Sequence, residues 1–426
     1  MKLLVEGSNL RGTAEIPGSK SHTIRALAIG ALAPGESRIH HPLDSADTRA
    51  AYQAYSILGA EITEEKDCWR VRGTGGQLAA PDTVIDTANS GTTMNMTLGS
   101  AALIPRGLAV LTGDAQVRRR PSGALAKSLT DLGAKVRSTR DNGCPPFVVE
   151  GRLRGGQTTL EATSSQYLSS LLINCPLVED ETDILLPVLH EIPYVHMTLD
   201  WLDRQGIRYG HTEDLKEVHV PGGQVYKPVD RRIPGDFSSA TFFLAAGALP
   251  DNEVLSNGLD MQDTHGDKAV VDYLREMGAE VTLVDGGVNV AARRLMGCEI
   301  DLNATPDALP MMAVLACFAR GETRLVNVPQ ARQKETDRIA VMCQELRKLG
   351  AEYEELEDGL VVRESSMHAG VVDGHGDHRV VMALAIGGTM LPGTTTILGY
   401  EAVEVTFPTF LDVLNGLGAN ARVVDG

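Results

Sequence analysis

Apolar residues along the chain switch repeatedly between two spacings. Segments such as RIAVMCQELRKLG, residues 338–350, place apolar residues three and four positions apart, which is the spacing of one helix face. Each such segment ends at a glycine, and a run of alternating apolar and polar residues follows, which predicts a strand. Glycine suits the end of a helix because it adopts a positive φ without the steric cost of a Cβ.

These glycines mark an internal repeat. They are Gly59, Gly133, Gly206, Gly278, Gly350 and Gly418, and the gaps between them are 74, 73, 72, 72 and 68 residues. A second marker, an exit from a helix into another strand, lies about half a repeat away in segments such as APGESRIHH and ARGETRLVNV. Each repeat of about 72 residues is therefore predicted to hold about two helices and three or four strands. One repeat would bury little core by itself, so the pattern predicts an α/β protein in which the six repeats pack together, in two halves.

Composition narrows the class of protein. The chain has 426 residues with 39 basic and 56 acidic side chains, and the net charge of −17 argues against non-specific nucleic-acid binding. Its cysteines are scattered without a CxxC pair or zinc spacing, which favours reduced thiols and a cytoplasmic location. The N-terminus MKLLVEGSNL does not resemble a signal peptide, and no apolar run reaches the roughly 18 residues of a membrane span. We expect a soluble protein without a membrane or nucleic-acid partner.

A basic, hydroxyl-rich turn near the start is a candidate anion site. In PGSKSHTIRA, residues 17–26, Lys20 and Arg25 stand among Ser19, Ser21 and Thr23 after a Pro-Gly pair. The segment differs from a phosphate-binding P-loop, because the Gly-Lys pair and the glycine five residues before it are missing. Anion binding is the favoured interpretation, and a solvated loop with a chance lysine stays open.

Six such repeats with PGSKSHTIRA near the start resemble the enolpyruvyl transferases over essentially the whole chain. The motifs are most similar to those of the branch that uses shikimate 3-phosphate. The resemblance implies an inside-out α/β barrel type of fold with two similar globular domains, each of three repeats. One domain would comprise residues 1–19 and 235–426, and the other residues 20–234. In this family the substrates bind in a cleft that closes on them.

The resemblance also implies a reaction. The enolpyruvyl group of phosphoenolpyruvate would move to the 5-hydroxyl of shikimate 3-phosphate through a tetrahedral ketal intermediate, with release of phosphate. Family members need no metal and no organic cofactor, and we expect a monomer whose partners are these two small molecules. Two anionic substrates require fixed cations, and the proton transfers require a positioned acid and base.

The family's functional residues fall on short motifs of this chain, among them NSGTTMN, GDAQVRRRPSG, SSQYLSS and GDHRVVMALAIGG. By resemblance, the catalytic residues are Lys20, Asp307 and Glu335. The residues expected to bind phosphoenolpyruvate are Lys20, Gly91, Arg120, Gln166, Arg338 and Arg379. Those expected to bind the acceptor are Lys20, Ser21, Arg25, Ser164, Ser165, Gln166, Tyr194, Asp307, Gln330 and Lys334.

The resemblance implies specific roles for residues of the C-terminal half of the chain. Asp307 is expected to accept the proton of the attacking hydroxyl, and its Pro-Asp context is also typical of a helix N-cap. Glu335 is the candidate acid for the methylene carbon. Lys334 and Arg338 are four residues apart, so they would share a helix face if the helix has begun there.

Four positions depart from the pattern of many family members. Asn95 replaces a frequent arginine, Gln330 a frequent asparagine, and Val405 a lysine of one subgroup. Glu191 stands where a serine contacts the acceptor's phosphate, and a carboxylate there would repel the phosphate unless it is neutralised. We expect Glu191 either to turn away and pair with a base such as His190 or Lys334, or to select another acceptor.

These departures keep other hypotheses open. The second hypothesis is a relative that acts on a different, non-phosphorylated cyclitol acceptor or catalyses an elimination. The branch that acts on UDP-N-acetylglucosamine fits less well, because it has a Lys-Asn pair where Lys20-Ser21 stands. A third hypothesis is a non-catalytic metabolite-binding member of the fold, which would need the cations but not the acid–base pair.

Overall fold

Each sequence repeat corresponds to one small sheet and a pair of helices. A computed structural model describes residues 1–425. The chain forms two compact units: unit 1 contains Met1–Pro17 and the chain from Pro234 onward, and unit 2 contains Gly18–Ile233.

The strands of the described residues are short, and most have two to eight residues with one face buried. In chain order they are β1 (Lys2–Glu6), β2 (Arg11–Glu15), β3 (Pro34–His40), β4 (Glu61–Glu65), β5 (Cys68–Thr74), β6 (Ile85–Asp86), β7 (Leu108–Thr112), β8 (Lys135–Ser138), β9 (Phe147–Glu150), β10 (Gly156–Ala162), β11 (Thr182–Leu189), β12 (Gly210–His211), β13 (Glu217–Val220), β14 (Asp230–Arg232), β15 (Glu253–Asn257), β16 (Glu280–Val284), β17 (Gly287–Ala291), β18 (Glu299–Asp301), β19 (Glu322–Val326), β20 (Glu352–Leu356), β21 (Gly359–Arg363), β22 (Val371–Asp373), β23 (Thr394–Leu398) and β24 (Asn420–Val424).

The α-helices of residues 1–425 follow the same repeat. They are α1 (Lys20–Leu32), α2 (Ala46–Ile57), α3 (Gly91–Ala101), α4 (Gly123–Asp131), α5 (Ser165–Asn174), α6 (Ile192–Gln205), α7 (Phe237–Ala248), α8 (Val270–Glu276), α9 (Leu309–Ala316), α10 (Arg338–Lys348), α11 (His378–Gly388) and α12 (Phe410–Gly416).

All sheets formed by the described residues have four strands and one topology. The strand orders in unit 2 are β14-β3-β5-β4, β6-β7-β9-β8 and β10-β11-β13-β12. Those in unit 1 are β16-β17-β15-β2, β18-β19-β21-β20 and β22-β23-β1-β24. Every sheet combines one parallel outer pair with two antiparallel neighbours. The repeat predicted from the glycines is therefore a repeat of topology.

Each unit is completed by strands that are distant in sequence. In unit 2, β14 pairs in parallel with β3 and completes the first sheet of that unit. In unit 1, β2 pairs in parallel with β15, and β1 lies between β23 and β24. The N-terminal strands therefore belong to the same unit as the C-terminal half of the chain.

The helices alternate between buried and half-exposed positions. Helix α7 is buried along its whole length, and α9 and α11 are buried in the same way. In unit 2, α1, α3 and α5 are buried except near their first residues. Helices that are apolar on all sides pack inside a domain. The strands keep an exposed face, as the alternating pattern of β10 shows, so the sheets lie outside the buried helices in each unit.

The repeat glycines end the half-exposed helices, as predicted. Their φ angles are 108°, 108°, 71°, 95°, 94° and 101° for Gly59, Gly133, Gly206, Gly278, Gly350 and Gly418. A strand follows each of these glycines within a few residues, which confirms the predicted order of elements. Within the part of the chain that the structure describes, no helix is long and apolar enough to span a membrane.

Candidate functional site

The sequence motifs lie at the N-terminal ends of the buried helices. Helix α1 begins at Lys20, α3 at Gly91, α5 at Ser165 and α11 at His378, while a 3₁₀ turn, Pro306–Ala308, leads into α9. The first turn of a helix presents unpaired N–H groups and the positive end of the helix dipole. These helix starts are therefore suited to binding anions.

Small polar residues determine where these helices begin. In α1, α3, α5 and α11, and also in α7, the side chain of the residue before the helix accepts a hydrogen bond from a backbone N–H of the first turn. Helix α9 differs, because its cap residue is an alanine. The capping residues are Ser19, Ser90, Ser164, Asp236 and Asp377.

Lys20 is paired with a carboxylate that the sequence analysis did not single out. Its Nζ lies 3.0 Å from Oδ2 of Asp47, and both side chains are largely buried. Asp47 belongs to the first turn of α2. The pair keeps the lysine ammonium in place at the start of α1.

Arg25 connects three helices of unit 2. Its Nε donates to Oγ1 of Thr198 at 2.9 Å, and its Nη2 donates to Oγ of Ser169 and to the carbonyl of Tyr194. The carbonyl of Ser21 accepts from Nη1 at 3.1 Å. Burial lowers the pKa of Arg25 to about 10, against a smaller opposing effect of Tyr194, so the guanidinium stays charged at neutral pH. Its role in acceptor binding stays a prediction.

Gln166 joins the starts of α5 and α3. Its Nε2 donates to Oγ1 of Thr92 at 3.2 Å, and its Oε1 accepts from Nδ2 of Asn95 at 2.8 Å. Oδ1 of Asn95 accepts in turn from Oγ of Ser122 at 2.8 Å. Asn95, one of the departures from the family pattern, therefore orients the glutamine that was predicted to contact both substrates.

Gly91 and Arg120 are close neighbours in unit 2. A Cβ placed on Gly91 would lie 2.7 Å from Nη1 of Arg120, which is closer than real Cβ contacts come. Arg120 follows the 3₁₀ turn Val117–Arg119, whereas Arg118 and Arg119 are exposed, as expected of solvated neighbours.

The substitution Gly91→Ala tests this contact. The methyl group should displace the Arg120 guanidinium, and we expect the KM for phosphoenolpyruvate to rise by about tenfold, the effect of roughly 1.4 kcal/mol. The free energy of unfolding should change little, because the displaced atom is the end of a flexible side chain. Gly416→Ala, at a position with nothing near the added Cβ, is the matched control. An equal KM for phosphoenolpyruvate in both variants would contradict the prediction.

Glu191 lies on the serine turn at the start of α5. Its Oε2 accepts from the backbone N and Oγ of Ser165 at 3.1 and 2.8 Å, and from Oγ of Ser164 at 3.4 Å. The side chain is buried. The carboxylate therefore faces Ser164 and Ser165, which the family resemblance places at the phosphate and ring of the acceptor, and it does not turn away from them.

Arg338 is the centre of an ion cluster in unit 1. Among the described residues, three carboxylates contact this fully buried side chain: Asp307 at 2.7 Å, Glu335 at 2.6 Å and Asp377 at 2.7 Å. Burial by itself lowers the pKa of Arg338, but the carboxylates outweigh it and hold the pKa well above its usual range. Oδ2 of Asp307 also lies 2.9 Å from Nη2 of Arg379. Asp307 thus bridges the two arginines predicted to bind phosphoenolpyruvate.

Two local expectations for this region need correction. Helix α10 begins at Arg338, and Lys334 lies before it, so these residues do not share a helix face. Asp307 is not an N-cap, because it lies inside the 3₁₀ turn and Ala308 is the cap of α9. Helix α10 begins at Arg338 because the side chain of Asp337 caps it, whereas the carboxylate of Asp307 bonds to Arg338 and Arg379.

Gln330 is a buried residue of unit 1 and lies in the 3₁₀ turn Pro329–Gln333. Its Nε2 donates to the carbonyl of Asn303 at 2.9 Å. Its Oε1 has no hydrogen-bond partner among residues 1–425. A buried amide oxygen of this kind is suited to accept a hydrogen bond from a ligand.

A polar cluster at the start of α7 was not predicted. The carbonyl of Ser238 lies 3.4 Å from Nη1 of Arg379, and Oγ of Ser238 donates to Asp267. Nε2 of the buried His265 lies 3.0 Å from Oδ1 of Asp236. The segment GDFSSA holds the same place in its repeat as the other helix starts, and aligning the repeats would have found it.

Glu345 supports the segment that carries Asp377. It is fully buried on α10, and its carboxylate accepts from Nε2 of His375 and from the backbone N of Asp373, both at 2.8 Å. Nζ of Lys348 lies 2.7 Å away. Burial raises the pKa of Glu345, but the bonds from His375, Lys348 and Asp373 outweigh it, so the pKa is lowered.

We expect Glu345→Gln to lower the free energy of unfolding by about 1–3 kcal/mol at pH 7, since the hydrogen bonds to a charged acceptor are lost. A lowered pKa stabilises the fold above the unfolded value of about 4.3, and this contribution disappears as the pH falls through the folded pKa. The difference from the unmodified protein should therefore shrink below about pH 4.3. Urea unfolding at several pH values measures it, with the exposed Glu352→Gln as control. A pH-independent difference would contradict the explanation.

Within residues 1–425 no group of His, Cys, Asp and Glu side chains has the arrangement of a metal site. The helix starts instead carry fixed cations with carboxylates next to them. The buried helices lie inside the sheets, and lysine, arginine, serine and carboxylate groups stand at their starts. These features define a class of repeat-built α/β proteins whose helix starts are suited to anions.

Comparison with known proteins identifies the family within this class. The family model of EPSP synthase (3-phosphoshikimate 1-carboxyvinyltransferase) matches residues 4–414. A protein of Acetivibrio thermocellus named 3-phosphoshikimate 1-carboxyvinyltransferase is 50% identical over 420 residues, which is 99% of each chain. One of the same name from Halobacterium salinarum is 45% identical over 432 residues and 99% of each chain. A solved EPSP synthase structure from Acinetobacter baumannii has a TM-score of 0.84 and 27% identity over the whole of both chains.

The chain belongs to the EPSP synthase family. The predicted family and the predicted fold class, a two-domain inside-out α/β fold, are confirmed.

Proposed function

We propose that this protein transfers the enolpyruvyl group of phosphoenolpyruvate to the 5-hydroxyl of shikimate 3-phosphate and releases phosphate, as a transferase of the shikimate pathway. Its family and the shared name of its relatives support this reaction. The observation that carries it is the cluster around Arg338, in which Asp307 and Glu335 both lie within hydrogen-bond distance of one buried guanidinium. A base and an acid stand there beside a fixed cation.

The proposed chemistry has two proton transfers around one addition. In its protonated form Glu335 gives a proton to the methylene carbon of phosphoenolpyruvate, C2 becomes cationic, and Glu335 is left as a carboxylate. The acceptor hydroxyl attacks C2 while Asp307 takes its proton, which forms the tetrahedral ketal. The C2–O bond to phosphate then breaks, and the Glu335 carboxylate takes one methyl proton back, which restores the double bond and the protonated acid. General acid–base catalysis of this kind contributes about 10²–10⁴-fold to a rate.

The residues proposed to bind phosphoenolpyruvate are those that the resemblance gave: Lys20, Gly91, Arg120, Gln166, Arg338 and Arg379. The ion pairs of Lys20 with Asp47 and of the arginines with Asp307 hold these cations in fixed orientations before a substrate arrives. Cations that are oriented in advance stabilise developing negative charge without a further cost of reorganisation.

The acceptor is proposed to contact mainly polar groups of helix starts and turns. The unpartnered Oε1 of Gln330 would accept from a ring hydroxyl. The remaining acceptor residues of the proposal are Lys20, Ser21, Arg25, Ser164, Ser165, Gln166, Tyr194, Asp307 and Lys334.

The organisation of the molecule is also a proposal. We propose that the two compact units correspond to the family's two domains, which the resemblance assigned to residues 1–19 with 235–426 and to residues 20–234. We also propose that the protein works as a monomer, and the scattered cysteines without a CxxC pair favour a cytoplasmic location.

Phosphate release tests the reaction. The purified protein should release phosphate from phosphoenolpyruvate when shikimate 3-phosphate is present, and not with phosphoenolpyruvate alone. Unphosphorylated shikimate serves as the second acceptor. If shikimate supports turnover and shikimate 3-phosphate does not, the protein acts on a non-phosphorylated acceptor and the proposal is wrong.

A further inference from the structure

The turn at the start of α5 binds an anion that belongs to the protein itself. One oxygen of Glu191 accepts from three donors there: the backbone N and Oγ of Ser165 and Oγ of Ser164. Two hydroxyls and an N–H at the N-terminus of a helix are a typical setting for a carboxylate or a phosphate. The turn is therefore an anion site, and Glu191 occupies it.

The position of Glu191 is set by the backbone. Its φ of 57° lies in the left-handed region, which residues other than glycine rarely adopt. It is the residue before α6, yet its side chain makes no cap bond with that helix. Instead the carboxylate reaches α5, and the residue is only 2% exposed. The fold thus holds the carboxylate on the serines of another helix.

We propose that Glu191 is an internal occupant of the acceptor's phosphate site, whose carboxylate keeps the hydrogen bonds of Ser164 and Ser165 until the phosphate displaces it. This inference rests on the proposed function, in which the acceptor carries a phosphate and these serines bind it. A phosphate and a carboxylate cannot share the same three donors, because both accept hydrogen bonds and both are negative.

The occupant changes which ligands bind. Every anion that enters the turn must displace the carboxylate, and a small anion makes no further contacts that would offset this cost. Shikimate 3-phosphate brings ring contacts that offset this cost. Glu191 is therefore a specificity-determining residue, which lowers the affinity for the acceptor and lowers the affinity for free inorganic phosphate even further.

Substitution of Glu191 tests the inference through binding. We expect Glu191→Ser to bind shikimate 3-phosphate at least about tenfold more tightly than the unmodified protein, because this substitution removes both the repelling charge and the oxygen that competes for the serines. Glu191→Gln, which keeps the shape and removes the charge, should give a smaller gain of about threefold, since its amide oxygen still competes for the serines. The Kd of phosphoenolpyruvate should not follow this trend. Calorimetric titration measures each Kd, and the exposed Glu213→Gln is the control with the same loss of charge in unit 2.

Inorganic phosphate serves as a second probe. Its binding to Glu191→Ser, measured by thermal shift, should become detectable at concentrations that leave the unmodified protein unchanged. This readout examines the competition at the turn without the acceptor.

Three results would overturn the inference. Equal or weaker binding of shikimate 3-phosphate to both Glu191 variants shows that the carboxylate does not compete with the phosphate. A gain for phosphoenolpyruvate as large as that for the acceptor shows a general structural effect. If Glu191→Ser does not fold, the inference fails unless Glu191→Gln binds the acceptor more tightly. A failure of the proposed function would be recognised by a different measurement: the unmodified protein would show no turnover with shikimate 3-phosphate and phosphoenolpyruvate.

Discussion

Replacing Asp307 with asparagine is expected to lower kcat by about 10²–10⁴-fold, the range that general acid–base catalysis contributes. An asparagine has the size of an aspartate but cannot accept the proton of the attacking hydroxyl. Binding should survive, because Arg338 keeps its contacts with Glu335 and Asp377. The measurements are kcat from phosphate release and the Kd of phosphoenolpyruvate from equilibrium titration.

The control for this variant is Asp285→Asn. Asp285 is exposed and precedes Gly286 between β16 and β17, and Asn-Gly turns a hairpin as well as Asp-Gly does. Asp285→Asn therefore removes one negative charge from unit 1, as Asp307→Asn does. A kcat for Asp307→Asn within tenfold of the control would remove Asp307 from the proposed chemistry. A loss of phosphoenolpyruvate binding in step with kcat would assign Asp307 to orienting Arg338 and Arg379.

Replacing Arg338 with alanine is expected to lower the free energy of unfolding by about 3–5 kcal/mol, the cost of leaving buried charges without their partner. Asp307, Glu335 and Asp377 would then face one another without the guanidinium that now contacts all of them. Phosphoenolpyruvate binding should be lost as well. Arg338→Lys should recover only part of the stability, because a single ammonium lacks the fork of donors that reaches several carboxylates.

Chemical denaturation measures this loss, and Arg275→Ala provides the comparison. Arg275 is an exposed arginine of the same unit that pairs with Asp272 three residues earlier, and such surface pairs contribute about 0.2–1 kcal/mol. If Arg338→Ala costs no more than Arg275→Ala, water or neighbouring cations already neutralise the carboxylates, and the cluster is not the organising feature of unit 1.

The sequence by itself determined the repeat and the order of elements. The glycine at Gly350 and its five equivalents predicted the helix ends, and the alternating runs after them predicted the strands. These features depend on residues close together in the chain, because a helix end needs a positive φ and a strand needs a period of two. The family resemblance rested on the same local motifs, and it assigned roles to residues such as Asp307 and Arg338 that local patterns would assign to helix starts.

Tertiary structure alone decided which side chains meet. Glu191 lies 26 residues after Ser165 in the chain, yet its carboxylate bonds to the turn of that serine. The contact of Lys20 with Asp47 was likewise not readable from spacing. β1 completes a sheet with strands from the other end of the chain. The physical reason is common to all of these: a local pattern limits backbone conformation, but the pairing of charges and strands depends on how distant segments pack.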